Sequence, residues 1–209
     1  MSAEQPVYRS VLLLGPPGSG KGTQGKVLSQ MPGFVHVSSG DMFRNLDHQS
    51  DLGRLFLEYS TRGELVPDDV TIRLWRHHME RMAKSGQFDI KRDVLLLDGI
   101  PRSAHQAEML ADNVDMLLLL HLQASQEAMV ERIHKRALQE NRLDDINPDV
   151  VRRRFQEYEA ATAPVLEFYP TDKIRTVDAG AAPLEVLRQI IEVLQVMLFP
   201  ETLQHSIAV

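Results

Sequence analysis

There is no cysteine among the 209 residues. That absence removes disulfides and thiolate-held metals and fits a reducing compartment. Histidine does not fill the gap, because His77 and His78 are adjacent rather than at ligand spacing and the other six are scattered. No metal site built from side chains alone is expected, and no zinc. Long apolar runs are missing too. No stretch approaches the length needed to cross a bilayer, and the first apolar run begins only at Val11 and is too short for a secretory signal. The expectation is a soluble cytoplasmic protein without a membrane partner. Positive charge is also scarce: 23 Lys and Arg stand against 29 Asp and Glu, a net charge of -6. That balance argues against general nucleic-acid affinity, so any local concentration of arginine is informative.

What is present suits a folded core. Hydrophobic residues make up 43% of the chain, and the length fits one domain over 1–209 with small appendages. Apolar runs at 11–15, 34–41, 93–102, 115–122 and 173–180 read as strands, with helix-length segments between them. Strands without polar alternation are buried on both faces, as in a parallel sheet covered by helices. The expected fold class is α/β: a three-layer sandwich on a five-stranded parallel sheet, with a core over about 10–198. Residues 38–70 hold several short helical patterns, and residues 137–147 are polar with few apolar anchors. Both read as surface excursions, where lids are commonly found. Asn147-Pro148-Asp149 reads as a helix start. The ends, about 1–8 and 200–209, are expected to be loose, and Val193, Val196 and Met197 to face the core.

Three elements carry chemistry. The first, GPPGSGKGTQ (15–24), follows an apolar strand and precedes a helical pattern. Gly18, Ser19, Gly20, Lys21, Gly22 and Thr23 approximate a phosphate-binding loop, in which backbone N–H groups and a helix N-terminus face an anion. Lys21 would reach the outer phosphates. Gly22 stands where a hydroxyl is usual, and Thr23 comes one place late. In the second, LLLDGIPR, Asp98 ends a strand, Gly99 permits close approach and Arg102 projects beyond. A carboxylate there can hold magnesium directly or through its waters, although a strand-end cap is the plainer alternative. The third is residues 132–154, with seven cations against four carboxylates, six of the seven being arginine. A solvated helix laced with ion pairs is one reading, and planar phosphate recognition by arginine is the other.

GPPGSGKGTQ, SSGDMFR, GELVPDD, DGIPRSAHQ, RIHKRALQENRLDD and RRRFQEYEAATAPV resemble, in order and spacing, the adenylate kinases over about residues 10–190. In that family the loop is written Gly-Lys-Gly-Thr, so Gly22 is the family's own form. The resemblance implies reversible transfer of a phosphoryl group from MgATP to AMP, giving two ADP, by a monomer. It implies a monophosphate-binding segment at about 38–70 and a short lid at about 136–147 without zinc-binding cysteines. Carried over by residue, Gly18, Ser19, Gly20, Lys21, Gly22 and Thr23 hold the ATP phosphates, and Asp98 orders the water shell of Mg2+. Arg132 stacks on the ATP adenine near the Gly180 and Ala181 backbone, and Arg136 binds the triphosphate. Arg44 and Arg102 grip the AMP phosphate, while Arg142 and Arg154 close over the transferring group, Arg153 being the alternative to Arg154. Ser39, Glu64, Leu65, Val66, Gly99, Ile100 and Pro101 would complete the AMP pocket.

The family's choice of acceptor base bears on Gln106, which stands where adenylate kinases read the adenine edge. Ser39 keeps a hydroxyl where the family has threonine, and Ile100 replaces an aromatic residue. Ser103-Ala104-His105-Gln106 is also a capping box, a structural role compatible with base reading. AMP is the expected acceptor. A UMP/CMP or broad monophosphate kinase remains the alternative, and a non-catalytic nucleotide binder of the same fold a more distant one.

Overall fold

The structure, a computed structural model, describes residues 6–140 and 142–199. Five strands form one sheet: β1 (Tyr8–Leu14), β2 (Phe34–Ser38), β3 (Val94–Asp98), β4 (Val114–Gln123) and β5 (Ile174–Asp178), in the order β2-β3-β1-β4-β5. All pairings are parallel. The expected α/β sandwich is the observed one. Every residue of β3 is buried, which explains its lack of alternation: both faces of the strand are covered.

Side chains of opposite parity feed two cores. Leu12, Leu95 and Leu97 meet the helix α4 (Asp68–Lys84), whose Ile72, Trp75 and Met79 recur at helical spacing and are fully buried. On the other face, Val11, Leu13 and Leu96 pack against Leu28 of α1 (Lys21–Leu28) and Val186, Ile190 and Leu194 of α9 (Pro183–Leu198). Between α1 and α4 lie the short helices α2 (Ser39–Arg44) and α3 (Asp51–Ser60), and α5 (Ala104–Leu110) follows β3. A third, smaller cluster joins α6 (Gln126–Glu140) to α7 (Pro148–Glu157) through Met129, Ile133, Val151 and Phe155. A π-helical turn at Tyr158–Thr162 and the helix α8 (Val165–Phe168) lead on towards β5.

Connections from β1 run to the β2 side, whereas β3 leads across β1 to β4. In such sheets a crevice opens at the carboxyl ends of the strands where the order reverses. Here β1 and β3 end side by side, with Leu13 in register with Asp98. The glycine loop after β1 and the DGIPR segment after β3 therefore share one edge.

Several boundaries differ from expectation. β1 starts at Tyr8, whose ring is buried edge-on against Trp75 and Phe88, so Tyr8 does not belong to a loose end as expected. β2 ends at Ser38 instead of 41, because Ser38 caps α2 by accepting from the Asp41 N–H. β3 ends at Asp98 instead of 102, since Gly99 turns the chain at φ 71°. Val193 and Met197 pack on the core, but Val196 is 56% exposed, one step round the helix from that face. The expected loose tail at 200–209 lies outside the described residues, as do residues 1–5. Asn147 caps α7 as anticipated, accepting from the Asp149 N–H, with Pro148 in the first turn.

Trp75 is completely buried and is the chain's one tryptophan. Trp75→Ala should lower unfolding free energy by about 3–5 kcal/mol through lost burial and the cavity left behind. Urea denaturation followed by far-UV circular dichroism measures it, and a loss below about 1 kcal/mol would contradict the packing described.

Candidate active site

The loop between β1 and α1 has little freedom. A Cβ at Gly18 would approach the Met129 carbonyl oxygen to 2.5 Å, so α6 lies too close for any side chain there. Gly20 caps α1 from the left-handed region at φ 94°, a conformation glycine adopts without steric cost. Gly22 is different: a Cβ there would meet only Asp98 Oδ2, at an ordinary 3.4 Å. No protein atom demands that glycine.

Lys21 opens α1 and turns back into the loop, where its ammonium donates to the carbonyls of Gly15 (2.6 Å) and Pro16 (3.0 Å). Burial pushes its pKa down to about 8; Asp98 opposes this, and Arg102, Arg136 and Arg154 reinforce it. Three arginines from separate parts of the chain thus act on one lysine. Arg102 itself is lowered to about 10 by burial and then by Arg154, while its Nε donates to Gly99 O at 2.8 Å. At the end of β3, burial would raise the Asp98 carboxyl, but His36 beside it at 3.4 Å, together with Lys21 and Arg102, holds it below the usual carboxylate range.

Carboxylates gather the remaining arginines. Asp145, in a 3-10 turn at Leu143–Asp145, is fully buried. Arg136 forks onto it through Nε (2.7 Å) and a terminal nitrogen (3.0 Å), and Arg154 reaches it from α7 at 2.5 Å. Arg154 also meets Asp144 at 3.0 Å. Burial works to raise the Asp145 pKa, and the two guanidiniums outweigh it, leaving a net lowering. On the other side Asp41 accepts from Arg44 at 2.6 Å, and Arg142 approaches the same oxygen at 3.8 Å while donating to Glu140 at 2.6 Å. The polar segment after α6 therefore touches α2 across the cleft.

Two cavities flank the loop. One is lined by Lys21, Ser39, Arg44, Gly99, Arg102, Gln106 and Arg154, with Glu64, Leu65 and Val66 on its wall. Gln106 is only 1% exposed; its Oε1 accepts from the Arg102 backbone N–H at 2.8 Å, and its Nε2 donates to Asp68 at 2.7 Å. Ser103 does cap α5, accepting from the Gln106 N–H. The reciprocal arm of the expected capping box reaches Arg102 rather than Ser103. The other cavity is lined by Gly18, Ser19, Gly20, Thr23, Arg132, Arg136 and Ala181. Arg132 donates to Ala179 O at 2.7 Å and lies 3.4 Å from the carbonyls of Gly180 and Ala181.

Most of the residues singled out from sequence therefore line one or other of the two cavities, although Gly22, Arg142 and Gly180 line neither. Ile100 instead belongs to the hydrophobic core, at 2% exposure, and Pro101 is buried beside it; neither lines either cavity. Arg154 faces the cleft, whereas Arg153 is half exposed and pairs with Glu157 and Glu64. Asp41, Asp68, Asp145 and His36 were not picked out. Asp145 offered one faint signal, nine residues after Arg136 and nine before Arg154. Among the described residues, no group of three or more His, Asp or Glu is placed to hold a metal, and no helix is long and apolar enough to cross a membrane.

The family described as adenylate kinase matches residues 13–174. The chain belongs to the adenylate kinase family. It is 38% identical over 185 residues to an adenylate kinase of Thermobifida fusca, covering 86% of this chain and 94% of that protein. An adenylate kinase of Flavobacterium psychrophilum is 32% identical over 192 residues, covering 88% and 97%, and one from Kocuria rhizophila is 39% identical over 165, covering 76% and 84%. The adenylate kinase match spans both cavities' principal residues up to Arg154.

A depressed carboxylate pKa adds stability above the unfolded value, here 3.8, and that stability is lost as pH falls through the lower folded value. Asp145→Asn should therefore cost about 1–3 kcal/mol at pH 7. Urea midpoints for the two proteins should converge as the pH is taken below 3.8. A gap that stays constant with pH would show that Asp145 does not hold the arginines as a carboxylate.

Proposed function

We propose that the chain catalyses reversible phosphoryl transfer from MgATP to AMP, giving two ADP, as a cytoplasmic monomer. The observation that carries this is that Lys21, Arg102 and Arg154 line one cavity and Arg136 the other, with Asp145 joining Arg136 to Arg154. A hydrolase needs one nucleotide pocket, whereas transfer between two nucleotides needs two facing pockets with cations between them. Every cation comes from one chain, so no second subunit is required.

In this reading the cavity beside Arg132 and Gly20 receives ATP. Gly18, Ser19, Gly20, Gly22 and Thr23 present backbone N–H groups to its phosphates, and Arg132 with the Gly180 and Ala181 backbone holds the adenine. The cavity beside Arg44 and Gln106 receives AMP, with Ser39, Glu64, Leu65, Val66 and Gly99 on its walls and Ile100 and Pro101 supporting it from the core. Residues 38–70 then form the monophosphate-binding segment and residues 136–147 the lid.

An AMP phosphate oxygen bonds to the γ-phosphorus as the bond from that phosphorus to the β,γ-bridging oxygen breaks, and the electron pair leaves on ADP. No general base is needed, because the nucleophile is already an anionic oxygen. The protein's task is alignment and charge. Lys21 and Arg136 meet the donor phosphates, Arg44 and Arg102 the acceptor, and Arg142 and Arg154 the group in transit. The magnesium that arrives with ATP would offset the charge on the donor phosphates. Asp98 suits its water shell, being a buried carboxylate whose Oδ2 faces the loop at Gly22. Water must be excluded or ATP would hydrolyse. The contact of Arg142 with Asp41 supports a lid that reaches the monophosphate segment.

The test is kinetic. Arg102→Ala should lower kcat for ADP formation by roughly 10²–10⁴-fold, given the scale of transition-state arginines. Arg153→Ala should change it only a few-fold, unlike Arg154→Ala. Retention of kcat in Arg102→Ala, or equal losses at 153 and 154, would overturn these assignments.

A further inference from the structure

We infer that Asp68 is a positioning residue that fixes the hydrogen-bonding polarity of Gln106 and so selects an amino-bearing acceptor base over an oxo-bearing one. This rests on the assignment of the Gln106 cavity to the monophosphate and deepens it.

A carboxamide turned by half a revolution exchanges its oxygen and its NH₂, so its neighbours must decide which way it faces. At Gln106 two neighbours of opposite character do so. The Arg102 backbone N–H, which can only donate, lies 2.8 Å from Oε1. The Asp68 carboxylate, which accepts, lies 2.7 Å from Nε2. Asp68 is itself held from the far side, its second oxygen accepting from Ser103 Oγ at 2.8 Å. With the amide reversed, NH₂ would oppose N–H and oxygen would oppose carboxylate, and both contacts would be lost together.

These bonds leave Gln106 one N–H and one lone pair, and the residue lines the cavity beside Arg44 and Arg102. A donor next to an acceptor matches the edge of adenine, where a ring nitrogen accepts and the exocyclic amino group donates. Hypoxanthine and guanine present the reverse, a ring N–H and an oxygen. Cytosine shows the adenine pattern, so the lock separates amino from oxo bases and leaves ring size to the cavity walls. The ordinary role for Asp68 is an acid in the first turn of α4, favourable beside a helix N-terminus. Asp69 occupies that same turn and reaches neither Ser103 nor Gln106, which makes it the control.

The experiment compares kcat/KM for AMP and for inosine monophosphate, with MgATP as donor, in the full chain. In Asp68→Asn the new amide can donate as well as accept, and the AMP:IMP ratio should fall roughly tenfold or more, the scale on which a mispaired polar site loses discrimination. KM for ATP should stay within a factor of about two. Asp69→Asn should leave the ratio unchanged, and Asp68→Glu, which keeps an acceptor, should largely restore it. Should Asp68→Asn fail to fold, Asp68→Ser supplies the measurement, because its hydroxyl suits a helix N-terminus but cannot span both partners. An unchanged ratio in the folded variant, or the same fall in Asp69→Asn, overturns the lock. Failure of the wild type to phosphorylate AMP would instead overturn the functional reading beneath it.

Discussion

Like charges held close together without flying apart are the constraint on which the rest of the structure depends. Burial, and then the nearness of Arg102, Arg136 and Arg154, lowers the affinity of Lys21 for its proton. Two carboxylates hold the group together. Asp145 binds Arg136 and Arg154 from a fully buried position, and Asp98 offsets Lys21. Asp41 does the same for Arg44 and Arg142 at the cleft's other margin. Phosphates entering such a site would meet charge already assembled, which is how preorganised electrostatics lower a barrier.

The fold serves this arrangement by bringing distant segments to one edge. The loop after β1 supplies Lys21, the turn after β3 supplies Asp98 and Arg102, and α7 supplies Arg154. The π-helical turn beyond α7 ties these elements together. Its Thr162 hydroxyl donates to the Arg102 carbonyl at 2.8 Å, and Tyr158 meets His121 at the end of β4 at 3.0 Å. An arginine on α7 is thus fixed relative to one on the β3 turn through backbone and side chain alike. The segment after α6 is held by ion pairs from Asp144 and Asp145 to Arg136 and Arg154 and by an Asp145 N–H bond to the Arg142 carbonyl.

The sheet was legible because its strands are buried on both faces and so appear as bare apolar runs, β3 most plainly. Their ends were less legible. Whether SSGD continues a strand or starts a helix depends on Ser38 accepting from Asp41, a local bond that hydropathy does not register. The arginines were legible from a phosphate-type loop and a cluster running against the net charge. The acids that position them were not, since NRLDD reads as solvated chain and only packing reveals Asp145 at zero exposure. Gln106 was recognised as both cap and cavity residue, but its polarity depends on Asp68, 38 positions away. Ile100 and Pro101 were placed in the site because Gly99 and Arg102, on either side of the pair, line the cavity, whereas the pair itself is buried.

The central claim is convergence of these cations on one gap between two nucleotides. A crystal structure with a dinucleotide in which two adenosines are joined through five phosphates tests it most directly. The account predicts one adenosine beside Arg132 and the other beside Gln106, with Lys21, Arg44, Arg102, Arg136, Arg142 and Arg154 all within hydrogen-bonding distance of the phosphate chain. A bound dinucleotide that leaves Arg102 and Arg154 on their present protein partners, or that occupies only one of the two cavities, would contradict it.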